Sequence, residues 1–129
     1  MTELRDDIKR TIEQEDVVLF MKGTPERVLC GNSMRALEAL RTVGSPVTAV
    51  DVLPDPSIRQ ELSALSNWPT IPQVFVRGEL VGGADIVQEL AETGELREKL
   101  ESTLGADYAA SRAEKVVPMG SPSAFRLAQ

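Results

Sequence analysis

Leu4, Ile8 and Ile12 recur at four-residue intervals among charged neighbours, the spacing of an amphipathic N-terminal helix. Val17-Val18-Leu19-Phe20-Met21 follows as an unbroken apolar run, as expected of a strand buried on both faces. Lys22 to Leu29 contains Gly23, Thr24 and Pro25 and reads as a loop. A helical pattern starts at Cys30, turns Leu37 and Leu40 inward and stops near Gly44, and Val47 to Val52 forms a second strand. Asp55-Pro56 carries the cap-plus-proline signature of a helix start, with Ile58, Leu62 and Leu65 on the apolar face. Gln73–Arg77 and Leu80–Val81 read as two strands around a tight turn at Gly78-Glu79. Asp85 with Gln88 fits a capping box for a helix bearing Ile86, Val87 and Leu90. Gly94 interrupts that helix, after which Leu96, Leu100 and Leu104 continue it.

The order αβαβαββα defines an α/β protein with a mixed four-stranded sheet, a parallel pair extended by an antiparallel hairpin and flanked by helices. Residues 1–104 form one domain. Residues 105–129, rich in Ala, Ser and Pro without a sustained apolar period, are expected to be a mobile or loosely docked C-terminal tail.

Composition narrows the chemistry. With 129 residues, 42% hydrophobic and 26% charged, the chain has material for one folded domain and not two. A formal charge of −6 argues against a general nucleic-acid or anionic-membrane binder. No apolar run approaches the roughly 18 residues of a membrane span, and Met1 to Arg10 lacks a signal-peptide pattern, so a cytoplasmic protein is expected. Histidine is absent, which removes His-ligated zinc sites and Ser-His-Asp or Cys-His catalysis within one chain. Cys30 is the one cysteine, so any second sulfur comes from another molecule.

Ligands of such a sheet gather beyond the carboxyl ends of its strands, where three segments converge. Cys30 opens a helix, and unpaired N–H groups and the helix dipole there favour a thiolate, with Lys22 able to add positive charge. A lone cysteine otherwise reads as a small buried hydrophobe; Gly31 beside it and the polar loop before it favour the reactive reading. Trp68-Pro69-Thr70-Ile71-Pro72 is either a proline-stiffened turn or, with Pro72 cis, a loop that turns the Ile71 backbone outward to pair with an extended peptide. Gly82-Gly83 before Asp85 puts a second helix N-terminus nearby, suited to a carboxylate. Arg59 reads equally as a carboxylate partner or a solvated surface arginine.

Lys22-Gly23-Thr24-Pro25-Glu26, Cys30-Gly31-x-Ser33, Asn67-Trp68-Pro69-Thr70-Ile71-Pro72-Gln73 and Gly78-Glu79-x-Val81-Gly82-Gly83-x-Asp85-Ile86-Val87 together resemble the monothiol glutaredoxins of the CGFS type over residues 3–104. The resemblance implies a thioredoxin-like fold, a glutathione site and a homodimer bridging a [2Fe–2S] cluster. It implies a role in cluster assembly and transfer, with BolA-type partners and apo iron–sulfur acceptors. It makes Cys30 the cluster ligand and the reactive thiol. Lys22, Arg59, Thr70, Ile71, Gly83, Ala84 and Asp85 become glutathione contacts: Lys22 and Arg59 facing the glycyl carboxylate, Ile71 pairing with the cysteinyl backbone, and Gly83 to Asp85 taking the γ-glutamyl end. The alternative is a glutathione-dependent thiol–disulfide oxidoreductase that removes glutathione from mixed disulfides through Cys30.

Three positions depart from the family pattern. Asn32 replaces the Phe of CGFS, Val28 stands where a proline is frequent, and Ala84 replaces the cysteine of Gly-Gly-Cys-Asp. Asn32 predicts a more solvent-accessible and shorter-lived cluster, Val28 a looser loop. Ala84 leaves all sulfur chemistry to Cys30.

Overall fold

A computed structural model describes residues 3–120 of the chain. Helix α1 (Glu3–Gln14) leads into strand β1 (Val17–Met21). A two-stranded ribbon, β2 (Gly23–Thr24) and β3 (Arg27–Val28), then occupies the segment expected to be irregular loop. Next come α2 (Gly31–Thr42), β4 (Val47–Asp51) and α3 (Pro56–Ser66), then the hairpin β5 (Gln73–Val76) and β6 (Glu79–Gly82), and finally α4 (Ala84–Thr93) and α5 (Glu95–Leu104). A turn of 3₁₀ helix at Tyr108–Ser111 leads to β7 (Glu114–Val116).

The main sheet runs β6-β5-β1-β4-β7, with β1 parallel to β4 and antiparallel to β5. The α/β class and the mixed, helix-flanked sheet follow the expectation, and β7 adds a fifth strand to the four predicted. The continuous apolar run of β1 is explained by its central place. Val17, Leu19 and Met21 join one core with Leu37 and Leu40 of α2, while Val18 and Phe20 join the opposite core with Ile8 and Ile58. A strand has a side-chain period of two, so both sets are buried only because helices cover both faces. Phe20 and Phe75 meet edge-to-face at 5.8 Å between centroids.

Helix boundaries follow local chemistry. Asp55 caps α3, its Oδ1 accepting the Ser57 N–H at 2.9 Å, and Pro56 opens the helix as anticipated. Leu65, placed on the apolar face by its spacing, is instead 37% exposed because the core lies under Ile58 and Leu62. The capping box expected at Asp85 is absent: Gly83 is the N-cap of α4, and the Asp85 carboxylate accepts from Arg35. Gly94, at φ +88°, separates α4 from α5.

Where a mobile or loosely docked tail is expected, residues 105–120 are placed against the fold. Tyr108 is buried and its hydroxyl donates to the Val43 carbonyl at 2.6 Å. β7 runs parallel to β4, flanked by Val47 N–H to Ala113 O and Val117 N–H to Ala49 O bonds, both 2.9 Å. Arg41 forks onto Glu114 at 2.7 and 2.8 Å, and Lys115 pairs with Glu15 at 3.0 Å. Met119 is buried in the core that contains Ile58. Residues 121–129 of that tail lie outside the described residues. The side chains of β7 are exposed, so the strand leaves no apolar period; backbone bonds and ion pairs hold it.

The Arg41 guanidinium holds the Glu114 carboxyl below its ordinary range, and Lys115 does the same for Glu15. A carboxylate stabilised in the folded state contributes stability above its unfolded pKa, about 4.3, and loses it as pH falls through the lower folded value. Backbone amides of β7 are therefore expected to be protected at neutral pH and to lose protection below about pH 4, before those of β1; hydrogen exchange read by mass spectrometry checks this. Tyr108→Phe should cost about 1 kcal/mol in urea unfolding, for the loss of one buried hydrogen bond.

Candidate functional site

The site arises where β1 and β5 stop pairing. Arg77 donates to the Asp16 carbonyl at 2.8 Å, and alternation along an antiparallel ladder makes Val18–Phe75 and Phe20–Gln73 the next bonded pairs. Lys22–Ile71 would come next. Instead the Lys22 N–H goes to Ser33 Oγ at 3.0 Å and its carbonyl accepts from Leu29 N–H at 3.0 Å. The Ile71–Pro72 bond is cis, one of the two conformations the sequence allows, and the Ile71 N–H and C=O take no hydrogen bond among the described residues. The Ile71 side chain is buried, so only its backbone edge faces outward. Gln73, fully buried, fixes the loop by donating its side-chain N–H groups to the Trp68 and Thr70 carbonyls at 2.9 and 3.1 Å.

Cys30 is the N-cap of α2, in extended conformation at φ −153°, ψ 132°, and is half-buried. Its thiol is held below its ordinary pKa. The Ser33 backbone N–H is the largest cause, opposed by partial burial and reinforced by the Asn32 N–H, the Ser33 hydroxyl and the Lys22 charge. Ser33 is buried, and its hydroxyl serves two sites, accepting the Lys22 N–H while favouring the thiolate. These helix-start N–H groups and the Lys22 charge are the ones the sequence expectation names.

A cleft of about 470 Å³ lies between the cis-proline loop and the N-terminus of α4. Thr70, Ile71, Gly83, Ala84 and Asp85 line it, five of the seven contacts predicted around the thiol. Lys22 and Arg59 are not in that lining; Lys22 belongs to the surroundings of Cys30, and Arg59 is exposed in the first turns of α3. A Cβ on Gly83 would meet the Pro72 carbonyl at 3.3 Å and Trp68 Nε1 at 3.4 Å, so glycine lets α4 approach the loop closely.

Arg35 and Asn32 also line the cleft, with Trp68, Pro72 and Ile86, whereas Cys30 is not among the lining residues. Arg35 donates to Asp85 Oδ1 at 2.6 Å, to Gln88 Oε1 at 2.6 and 3.0 Å, and to Asn32 Oδ1 at 3.1 Å. The sequence marks Asn32 only as a departure from the CGFS pattern and gives no signal for Arg35. The i,i+3 spacing placed both on one face of a helix, yet nothing in the sequence brought α4 against that face.

The sheet order, the cis-proline loop and a thiol at a helix N-terminus define a thioredoxin-like protein. The glutaredoxin family model matches residues 17–81. Glutaredoxin 4 of Pasteurella multocida is 48% identical over 108 residues, covering 84% of this chain and 94% of that protein. Glutaredoxin 4 of Escherichia coli K12 is 45% identical over 98 residues, covering 76% and 85%. Among solved structures, reduced apo GrxS14 of poplar superposes with a TM-score of 0.70 at 37% identity, covering 78% of this chain and 93% of that one. The chain belongs to the glutaredoxin family, on its monothiol branch.

The alkylation rate of Cys30 by iodoacetamide is expected to rise with pH around a midpoint below the ordinary thiol value of about 8.5. Ser33→Ala removes the hydroxyl contribution and keeps the backbone N–H, so its midpoint should rise only part of the way. A wild-type midpoint at or above 8.5, roughly that of a free thiol, would contradict this account of the helix start.

Proposed function

We propose that this monothiol glutaredoxin carries [2Fe–2S] clusters as cargo, held between two copies of the chain with two glutathione molecules completing the sulfur set. The observation that carries the reading is Cys30, a lone, half-buried, thiolate-favouring sulfur in a chain with no second cysteine. An all-thiolate [2Fe–2S] centre takes four sulfurs. Among the described residues no group of three or more His, Cys, Asp or Glu is placed to hold a metal. The donor set therefore fits the cargo only as a shared site, with one thiolate from each copy and one from each glutathione. Such a centre is anionic, and the α2 N-terminus with Lys22 opposes that charge.

The cleft supports the glutathione part of the reading. The unpaired Ile71 edge suits the cysteinyl backbone of the tripeptide. Thr70 lines the same wall, and Gly83, Ala84 and Asp85 suit the γ-glutamyl end. Lys22 and Arg59 are assigned to the glycyl carboxylate. Partners on this reading are a second copy of the chain, BolA-type proteins and apo iron–sulfur acceptors. A cytoplasmic site of action goes with it, since glutathione there keeps lone thiols reduced. No helix among the described residues is long and apolar enough to cross a membrane.

Asn32 favours a second reading, glutathione-dependent disulfide exchange. It is exposed and polar where the CGFS pattern has Phe, which leaves the thiol less shielded. The Cys30 thiolate attacks the glutathionyl sulfur of a protein mixed disulfide and expels the protein thiolate. A second glutathione thiolate then attacks the Cys30–glutathione disulfide, releasing oxidised glutathione and restoring the Cys30 thiolate.

Anaerobic reconstitution with iron, sulfide and glutathione, followed by visible absorption and native mass, separates the two. A brown dimer that needs both glutathione and Cys30, and is absent in Cys30→Ser, is expected. A colourless monomer would sink the carrier reading and leave disulfide exchange in the lead. Asn32→Phe is expected to lengthen the half-life of the cluster in air.

A further inference from the structure

We propose that Arg35 determines specificity in this cleft: with Asp85 it forms a charge-paired clamp for a zwitterionic α-amino-acid head, its guanidinium taking the ligand's α-carboxylate while Asp85 takes the α-ammonium. The inference rests on the glutathione reading and names which groups of the γ-glutamyl end are recognised, and by what.

Valence counting carries the argument. A guanidinium has five N–H donors. The structure uses four: Nε and Nη2 to Gln88, Nη2 to Asp85, and Nη1 to Asn32. One N–H on Nη1 remains. Asp85 accepts from Arg35 through Oδ1 and takes no other bond among the described residues, so Oδ2 is open, and its side chain is 88% exposed at the cleft mouth. Each partner thus keeps a free position for an opposite charge, and a ligand with both charges on one carbon adds to the pair without breaking it. A ligand with only the carboxylate or only the ammonium would fill one position and leave the other to water.

Preorganisation supports the same assignment. Arg35 reaches from α2 to α4 and is held by three side chains, so much of its rotamer entropy is lost before a ligand arrives. Asn32 takes part through its Oδ1, an acceptor that the Phe of the CGFS pattern does not have. Both Arg35 and Asn32 line the cleft together with Ala84, Asp85 and Ile86. Lysine at position 35 would keep the charge but lose the planar fork that spans these partners.

Isothermal titration under reducing conditions tests the clamp with two ligands, glutathione and 4-aminobutyryl-cysteinyl-glycine, which lacks only the α-carboxylate. The wild type is expected to bind the second about tenfold more weakly than the first, the usual scale for a hydrogen bond to a charged group. Arg35→Gln should bind glutathione about tenfold more weakly than the wild type and narrow the ratio between the two ligands several-fold, the N–H groups at the start of α4 accounting for what discrimination remains. The proposal is overturned if Arg35→Gln binds glutathione as tightly as the wild type or more so, because Arg35 would then be a plug. It is also overturned if the variant weakens both ligands by the same factor, which a merely structural role would do. A wild type that binds both ligands equally overturns it without reference to any variant. A wild type that binds neither overturns the glutathione reading itself, and the clamp with it, before any variant is compared.

Discussion

Much of the site depends on one interruption in the sheet. β1 and β5 pair regularly up to Phe20–Gln73, and the next bonded position is surrendered when the Lys22 N–H turns to Ser33 Oγ. That hydrogen bond ties the end of a central strand to the first turn of α2. It brings Lys22 towards Cys30 and leaves the Ile71 edge without its ladder partner. Buried backbone groups are normally paired, so an unpaired strand edge on a rigid loop is a place built to receive another backbone. Gln73 reinforces it from beneath by holding the Trp68 and Thr70 carbonyls.

Around this edge the local charges run against the charge of the whole molecule. The chain carries −6, yet the thiol lies among two backbone N–H groups, a hydroxyl and Lys22. Fixed N–H dipoles act at contact distance and need no net positive charge, so an acidic protein can still stabilise a thiolate. Within the cleft, the Arg35–Asp85 pair gives a locally neutral wall with positions for both signs. Asn32 belongs to that wall through its bond to Arg35, which gives a reason for a polar side chain there besides its proximity to the sulfur.

The C-terminal strap answers a different need. β4 is the parallel partner of β1, and without β7 its outer edge would be open. An unpaired edge invites association with other chains, and three exposed, partly charged residues in β7 cover it. Gly120, at φ +116°, then passes against Asp55, where a Cβ would come within 2.9 Å of the Asp55 Cβ. At Gly120 the strap therefore lies beside Asp55, the cap of α3.

Much of this molecule was legible in its sequence. Period-four and unbroken apolar runs specified the helices and the central strand, because burial on one face or two leaves a different periodicity. Asp55-Pro56 specified a helix start, since capping is local. A lone cysteine without histidine restricted the thiol chemistry by elimination. The motifs around Cys30, Pro72 and Gly83 marked the parts of the site, and five of the seven predicted contacts share a cleft. Tertiary structure decided the rest. Arg35 meets Asp85 across a gap of fifty positions in the chain, and β7 finds β4 across more than sixty, in both cases through exposed polar groups or backbone bonds that leave no apolar period. Sequence patterns record burial, and contacts made by charge, hydrogen bonding and the packing of one helix on another become readable only when the chain has folded.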